Sequence, residues 1–167
     1  MIYRLPPPDA PVDQADLIDR CPLLSISSFD VQALESVLVN RGLSRIVVLT
    51  QTCDFANNKT SQVVVARVHE AQSLIAAGQL KAADVRGPVR GGRVFGWYFL
   101  PKSLDLGFGE MIVDLRNLHT VRLDLLETLC ATGHRLARIE PLYREHLSKH
   151  FADSYSRIGL PEPYESE

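Results

Sequence analysis

Two β-branched runs constrain this chain more than any other feature. They are Arg45-Ile46-Val47-Val48-Leu49-Thr50 and Gln62-Val63-Val64-Val65-Ala66-Arg67-Val68, with residues 51–61 between them. Val and Ile are stiff at the first side-chain torsion and pack well on a pleated surface, so both runs predict strands buried on both faces. The link contains Asn57-Asn58-Lys59, a turn-prone cluster. Adjacent antiparallel strands follow, with Val47 and Leu49 in the core.

Other elements gather around that pair. Ala15 to Ile18 and Leu23 to Ile26 read as short strands divided by Cys21-Pro22. Gly92 to Leu100 is rich in aromatic strand formers, and Gly109 to Leu115 follows a turn containing Gly107. A short helix is predicted over 70–77. Another runs from Leu125 to Thr132, with Asp124 and Glu127 at capping-box spacing and Gly133 as its stop. Pro141 suits the first turn of a last helix, whose stripe Tyr143, Leu147, Phe151, Tyr155, Ile158 recurs at helical spacing. Strands and helices that segregate rather than alternate predict an α+β, β-rich fold. The expected architecture is a small barrel elaborated by C-terminal helices.

Residues 1–12 hold four of the ten prolines and read as an extended arm. Residues 13–158 read as one domain and 159–167 as an acidic tail. With 46% hydrophobic residues and a net charge of -2, disorder is excluded. The longest aliphatic run, Ile46 to Leu49, falls far short of the roughly 20 residues of a membrane span. No apolar leader opens the chain, so no membrane or export is expected. Cys21, Cys53 and Cys130 suit a reducing cytoplasm and make neither a disulfide framework nor a zinc cluster.

The segment Thr50 to Asn57 sets an amide, two hydroxyls, a thiol and a carboxylate in a row at a strand end. A strand end fixes side chains that a loop exposes, which makes Gln51, Thr52, Cys53 and Asn57 a candidate ligand-binding loop. Turn chemistry by Asp54 and Asn57, with Cys53 as a small core residue, is the alternative. Cys53 is expected to be structural. Cys53, Asp54 and His69 leave a closed zinc site one ligand short, and His146 with His150 lacks a third ligand. Neither metal nor cofactor is expected, and the two histidines read as a solvated helix face. The glycine-rich stretch 86–93 carries Arg86, Arg90 and Arg93, followed by Trp97. Guanidinium groups there suit phosphates, and Trp97 with the adjoining Tyr98 suits base stacking; a surface loop and a core tryptophan are the alternative.

At the strand–loop–strand unit, Arg45 to Asn57 and then Val63 to His69, the chain resembles the MazF/PemK toxin family, with Gln14 to Ile18 similar to that family's opening Gly-Asp-Ile strand. The resemblance covers about a third of the chain. It implies an SH3-like barrel and metal-independent cleavage of single-stranded RNA by an arginine and a hydroxyl residue. By position the arginine falls on Arg45 and the hydroxyl on His69, with Asp54 at the strand end. Ile46 stands where the family has proline, Ala15 where it has glycine, and His69 is no hydroxyl. The segment also resembles bacterial proteins with a Ser/Thr-Gln-x-Cys-Asp-x-x-Asn strand end, which imply no activity. Two function classes follow. One is an RNA-directed module, with Arg45 steadying a phosphorane and His69 as acid or base. The other is a non-catalytic subunit that contacts a protein or a small molecule through residues 51–57; besides RNA, the partners considered are a protein and a second copy of the chain.

Overall fold

Alternation along the central strands decides the architecture. A computed structural model describes residues 1–56 and 60–156, apart from the Leu34 side chain. Asn57, Ile158 and the acidic tail lie outside the described residues. The strands are β1 (Tyr3–Arg4), β2 (Asp16–Asp30), β3 (Ala33–Val48), β4 (Gln62–Glu70), β5 (Trp97–Leu100), β6 (Met111–Arg122) and β7 (Arg135–Ile139). They form one antiparallel sheet in the order β1-β7-β2-β3-β4-β6-β5. The helices are α1 (Thr52–Ala56), α2 (Ala71–Ala76), α3 (Ala82–Asp84), α4 (Leu123–Ala131) and α5 (Pro141–Tyr155), with a single π turn at Val85–Val89. The fold is α+β and strand-rich. The sheet is not closed: β1 and β5 are its two edges.

The two β-branched runs pair as expected, from Arg45 opposite Val68 to Val48 opposite Val65. Val47, Leu49, Ala66 and Val68 point to one face, where Val113 and Leu115 join them and α5 covers them with Leu147 and Phe151. Ile46, Val48, Val63 and Val65 point to the other, covered by Leu126 and Cys130 of α4. Farther along that second face, α2 and the π turn cover Ile112 and Trp97. A sheet covered on both sides needs continuous aliphatic runs, which is why these two strands stood out.

Several elements differ from expectation. The two short strands around Cys21-Pro22 are one strand, β2, whose ladder shifts between Ile18 and Cys21. Arg20 there has a φ of 57°, and a bulge absorbs the break that the proline suggested. The strand expected over 92–100 shrinks to Trp97–Leu100, because residues 90–92 turn back against the π turn. Arg122, not Asp124, caps α4. Asp124 lies in the first turn, bonded to the Leu125 N–H and to Arg122, so no capping box forms. On α5 Leu147 is buried, but Tyr143 and Tyr155 at the two ends are 44% and 55% exposed, beyond the sheet's cover. His150, expected on a solvated face, is buried instead.

The N-terminal arm lies against the body, and buried charge holds it. Asp16 is fully buried and accepts Arg138 Nε at 2.6 Å and Nη2 at 2.9 Å, with Arg135 Nε 3.3 Å away. The outer nitrogens of both arginines donate to the arm's carbonyls: Arg135 to Pro7, Ala10 and Pro11, and Arg138 to Pro11. The strand β1 then pairs with β7, and the buried Tyr3 packs edge-on against Phe108 at 5.1 Å. Removing one partner of a buried pair costs about 3–5 kcal/mol, since the other charges stay buried and uncompensated. Asp16→Ala should therefore lower stability by that amount in urea unfolding, and an unchanged midpoint would show that the arm is not anchored by this charge.

Candidate functional site

The loop after β3 is built as a short helical turn. Asp54 N–H donates to the Gln51 carbonyl at 3.0 Å, opening α1. Thr50 Oγ1 accepts from Val64 N–H at 2.8 Å, which ties the loop root to β4. Gln51, Thr52 and Cys53 are exposed, and Asp54 is half-buried. Across from them stands α5, and Gln14 bridges the gap by donating to Leu49 O and to Ser148 Oγ at 3.3 and 3.0 Å. Two shallow depressions flank that bridge. One, about 320 Å³, is lined by Gln51, Thr52, Cys53, Arg144 and Glu145; the other, about 440 Å³, is lined by Asp54, Leu49, Phe151 and Ala152. Gln14 and Ser148 were not legible as site residues, because only the fold brings them beside residue 51. Cys53 is not the small core residue considered above: its thiol is exposed, 3.5 Å from Gln51 Oε1.

Arg45, Asp54 and His69 do not converge. Arg45 lies opposite Val68 and shares its face; His69 is the next residue and points to the other. Asp54 lies past the end of β3, nine residues on from Arg45 and within α1. Arg45 is also committed, paired with Glu70 and lying 3.5 Å from Asp19. On its own face His69 meets Asp114, Arg67 and Arg116. Burial above all, with the two guanidinium groups, holds its pKa below the ordinary value against the pull of Asp114.

A second concavity opens where β5, α5 and the turn after the π turn meet. It holds about 310 Å³ and is lined by Ile2, Arg90, Tyr98, Phe99, Tyr143 and His146, among others. Tyr98 Oη lies 3.1 Å from His146 Nδ1, and the Arg90 guanidinium stands 5.9 Å from the Phe99 ring centre. Arg86, Arg90 and Arg93 are all exposed and make no ion pair among the described residues. Of the two readings open for Trp97, base stacking and the core, the structure bears out the core, at 5% exposure. Arg116 covers its ring at 3.9 Å, a position open only because residue 96 is glycine: a Cβ there would fall 2.7 Å from Arg116 Cγ. The aromatic residues at this concavity are therefore Tyr98, which the sequence offered with Trp97 for base stacking, and Phe99 and Tyr143, read from sequence as strand and core positions. Among the described residues no group of three or more His, Cys, Asp or Glu gathers to hold a metal, and no helix is long and apolar enough to cross a membrane. No protein-family model matches the chain, and no curated protein matches it either.

The site chemistry yields two expectations. Cys21 and Cys130 are buried, and burial pushes the Cys21 thiol up to about 11 and raises that of Cys130. A thiol reagent at neutral pH should therefore label one cysteine quickly in the folded protein and three in denaturant, with Cys53→Ser removing the fast one. Two or three fast thiols would contradict the burial of Cys21 and Cys130. The second concerns His69, His119 and His150, whose pKa values burial lowers in each case. The unfolded chain then binds these protons more tightly. Their contribution is complete above the unfolded value, about 6.5, and is lost as pH falls from there through the folded values. Tm should decline from pH 7.5 to 5.5, and His150→Gln should flatten the slope; a Tm that rises on acidification would overturn this.

Proposed function

We propose that this protein is a binding module for single-stranded RNA that holds its strand without cutting it. The observation that carries the reading is the concavity lined by Tyr98, Phe99, Tyr143 and His146, with Arg90 at its rim and the exposed Arg86 and Arg93 on the same turn. Its volume of about 310 Å³ matches the small end of ligand sites, roughly 300–1,000 Å³. That suits one nucleobase against aromatic rings while neighbouring phosphates meet guanidinium groups. The net charge of -2 confines such binding to this corner. Kinship with the MazF/PemK barrels is part of the proposal. It is supported by the pairing of the two matched strands and by Ala15, whose φ of 66° is a conformation that favours glycine, at the position where that family has one. Cleavage is disfavoured because Arg45 and His69 occupy opposite faces of the sheet.

A second reading, contact with a protein or small molecule through residues 51–56, rests on the exposed Gln51, Thr52 and Cys53 beside α5.

Fluorescence anisotropy with a labelled single-stranded RNA, without added metal, tests the proposal. Affinity should fall as salt rises, and Arg90→Ala should reduce the salt slope by about 0.7. Tyr143→Ala should weaken binding roughly 5- to 100-fold and leave the slope unchanged. The RNA should stay intact. Absence of binding at low salt would refute the module, and cutting abolished by Arg45→Ala or His69→Ala would refute its non-catalytic character.

A further inference from the structure

Residues 63, 65, 67 and 69 of β4 point to one face of the sheet, but only the first two are apolar. Val63 and Val65 lie under α4, while α2 and the π turn cover Ile112 and Trp97 farther along. Arg67 and His69 fall in the strip between those covers, both half-buried. A bulge in β6 faces them. Ala66 pairs with Leu118 and Arg67 with Asp114, so residues 115–117 have no partner on β4. His119, also half-buried, pairs with Val65 and shares its face. Arg67 thus stands between two imidazoles, roughly 7 Å along the sheet from each.

The strip holds a cation that the fold leaves unanswered. Its carboxylate, Asp114, is taken by Arg116, which donates to it through Nε at 3.0 Å and its backbone N–H at 3.1 Å. Arg67 Nε is buried without a hydrogen-bond partner, and the guanidinium makes no ion pair among the described residues. No charged residue lies on α2, the π turn carries only Arg86, and the acids of α4 line a separate depression with Arg122. An unmet donor on a half-buried cation is costly, and a guanidinium fork fits an oxyanion through two parallel N–H bonds. His119 donates Nε2–H to Asn117 Oδ1 at 2.8 Å, which leaves Nδ1 for a ligand. Burial lowers the pKa of His69 and of His119, and the nearby Arg67 charge lowers both further.

We infer that this strip is a binding site for a phosphate-class oxyanion, held by the Arg67 fork with His69 and His119 on either side. The neutral Nδ1 of His119 is a lone pair and becomes a donor only when protonated, so full engagement of the anion takes up a proton. The phosphate belongs either to a nucleic-acid strand or to a small phosphate monoester, and both present the same oxygens.

Sulfate is the first probe, because its charge stays fixed between pH 7.5 and 5.5. Side-chain NMR of the whole chain should show His69 and His119 responding together, with both pKa values rising and His134 unmoved. Affinity should strengthen several-fold as pH falls across that range. Arg67→Met keeps the aliphatic stem; it should weaken sulfate roughly tenfold or more and raise both histidine pKa values with no anion present. His119→Gln, at a half-exposed position, should keep the fold and flatten the pH dependence, a readout that does not rely on Arg67→Met folding. Histidines indifferent to sulfate overturn the inference, as does a response that survives Arg67→Met. Displacement of sulfate by single-stranded RNA would assign the site to a strand, and displacement by ribose 5-phosphate alone would assign it to a small monoester. Displacement by neither would mean an adventitious ion only and would overturn the site. Sulfate binding needs no RNA, so this inference and the RNA module fail separately.

Discussion

Asp16 is a carboxylate with no access to solvent, placed between two arginines of β7. Burying three charges carries a large desolvation cost, and it is offset only when nearly every remaining donor finds a partner. The arm supplies them as carbonyls from Pro7, Ala10 and Pro11. Prolines suit that role because they hold an extended path and need no partner for an N–H of their own. The consequence reaches the candidate binding site. With the arm fixed, β1 adds to the sheet edge, Tyr3 donates to Pro101 O at 2.8 Å, and Ile2 lines the concavity beside Tyr98 and Tyr143.

Sheet parity separates chemistry that sequence order brings close. Arg45 faces Glu70 and Met111 on the α5 side, while His69 faces Arg67, Asp114 and Arg116 on the other. A one-residue offset between a strand and its neighbour is enough to send two side chains to opposite surfaces. The residues that do converge come from distant segments: the turn around Arg90, the strand at Tyr98 and the helix at His146.

How much could be read in advance depended on how local the cause was. The β3–β4 pair was legible because Val and Ile in unbroken runs have few other stable settings. Pro141 marked the start of α5 because a missing N–H is harmless there. Tyr143, expected in the core, is left beyond the sheet's edge, while Trp97 takes the core place that was one of its two readings, covered by Arg116. Periodicity shows which residues share a helix face, not how far the opposing surface extends. The arginines at 86, 90 and 93 were visible as a basic turn, but the cleft beside them depends on contacts up to about ninety residues away in the chain.

The sequence by itself determined the strand-rich class, the central pair, the position of the last helix and the absence of a long apolar span, since each follows from side-chain shape and spacing over a few residues. Only the tertiary structure decided which face each polar side chain joined, that Cys53 is open while Cys21 and Cys130 are closed, and that β2 and β3 extend as a ribbon past the body. Those outcomes depend on which strands become neighbours and where cover runs out. That choice is made by long-range burial and one buried charge cluster, which no local pattern encodes.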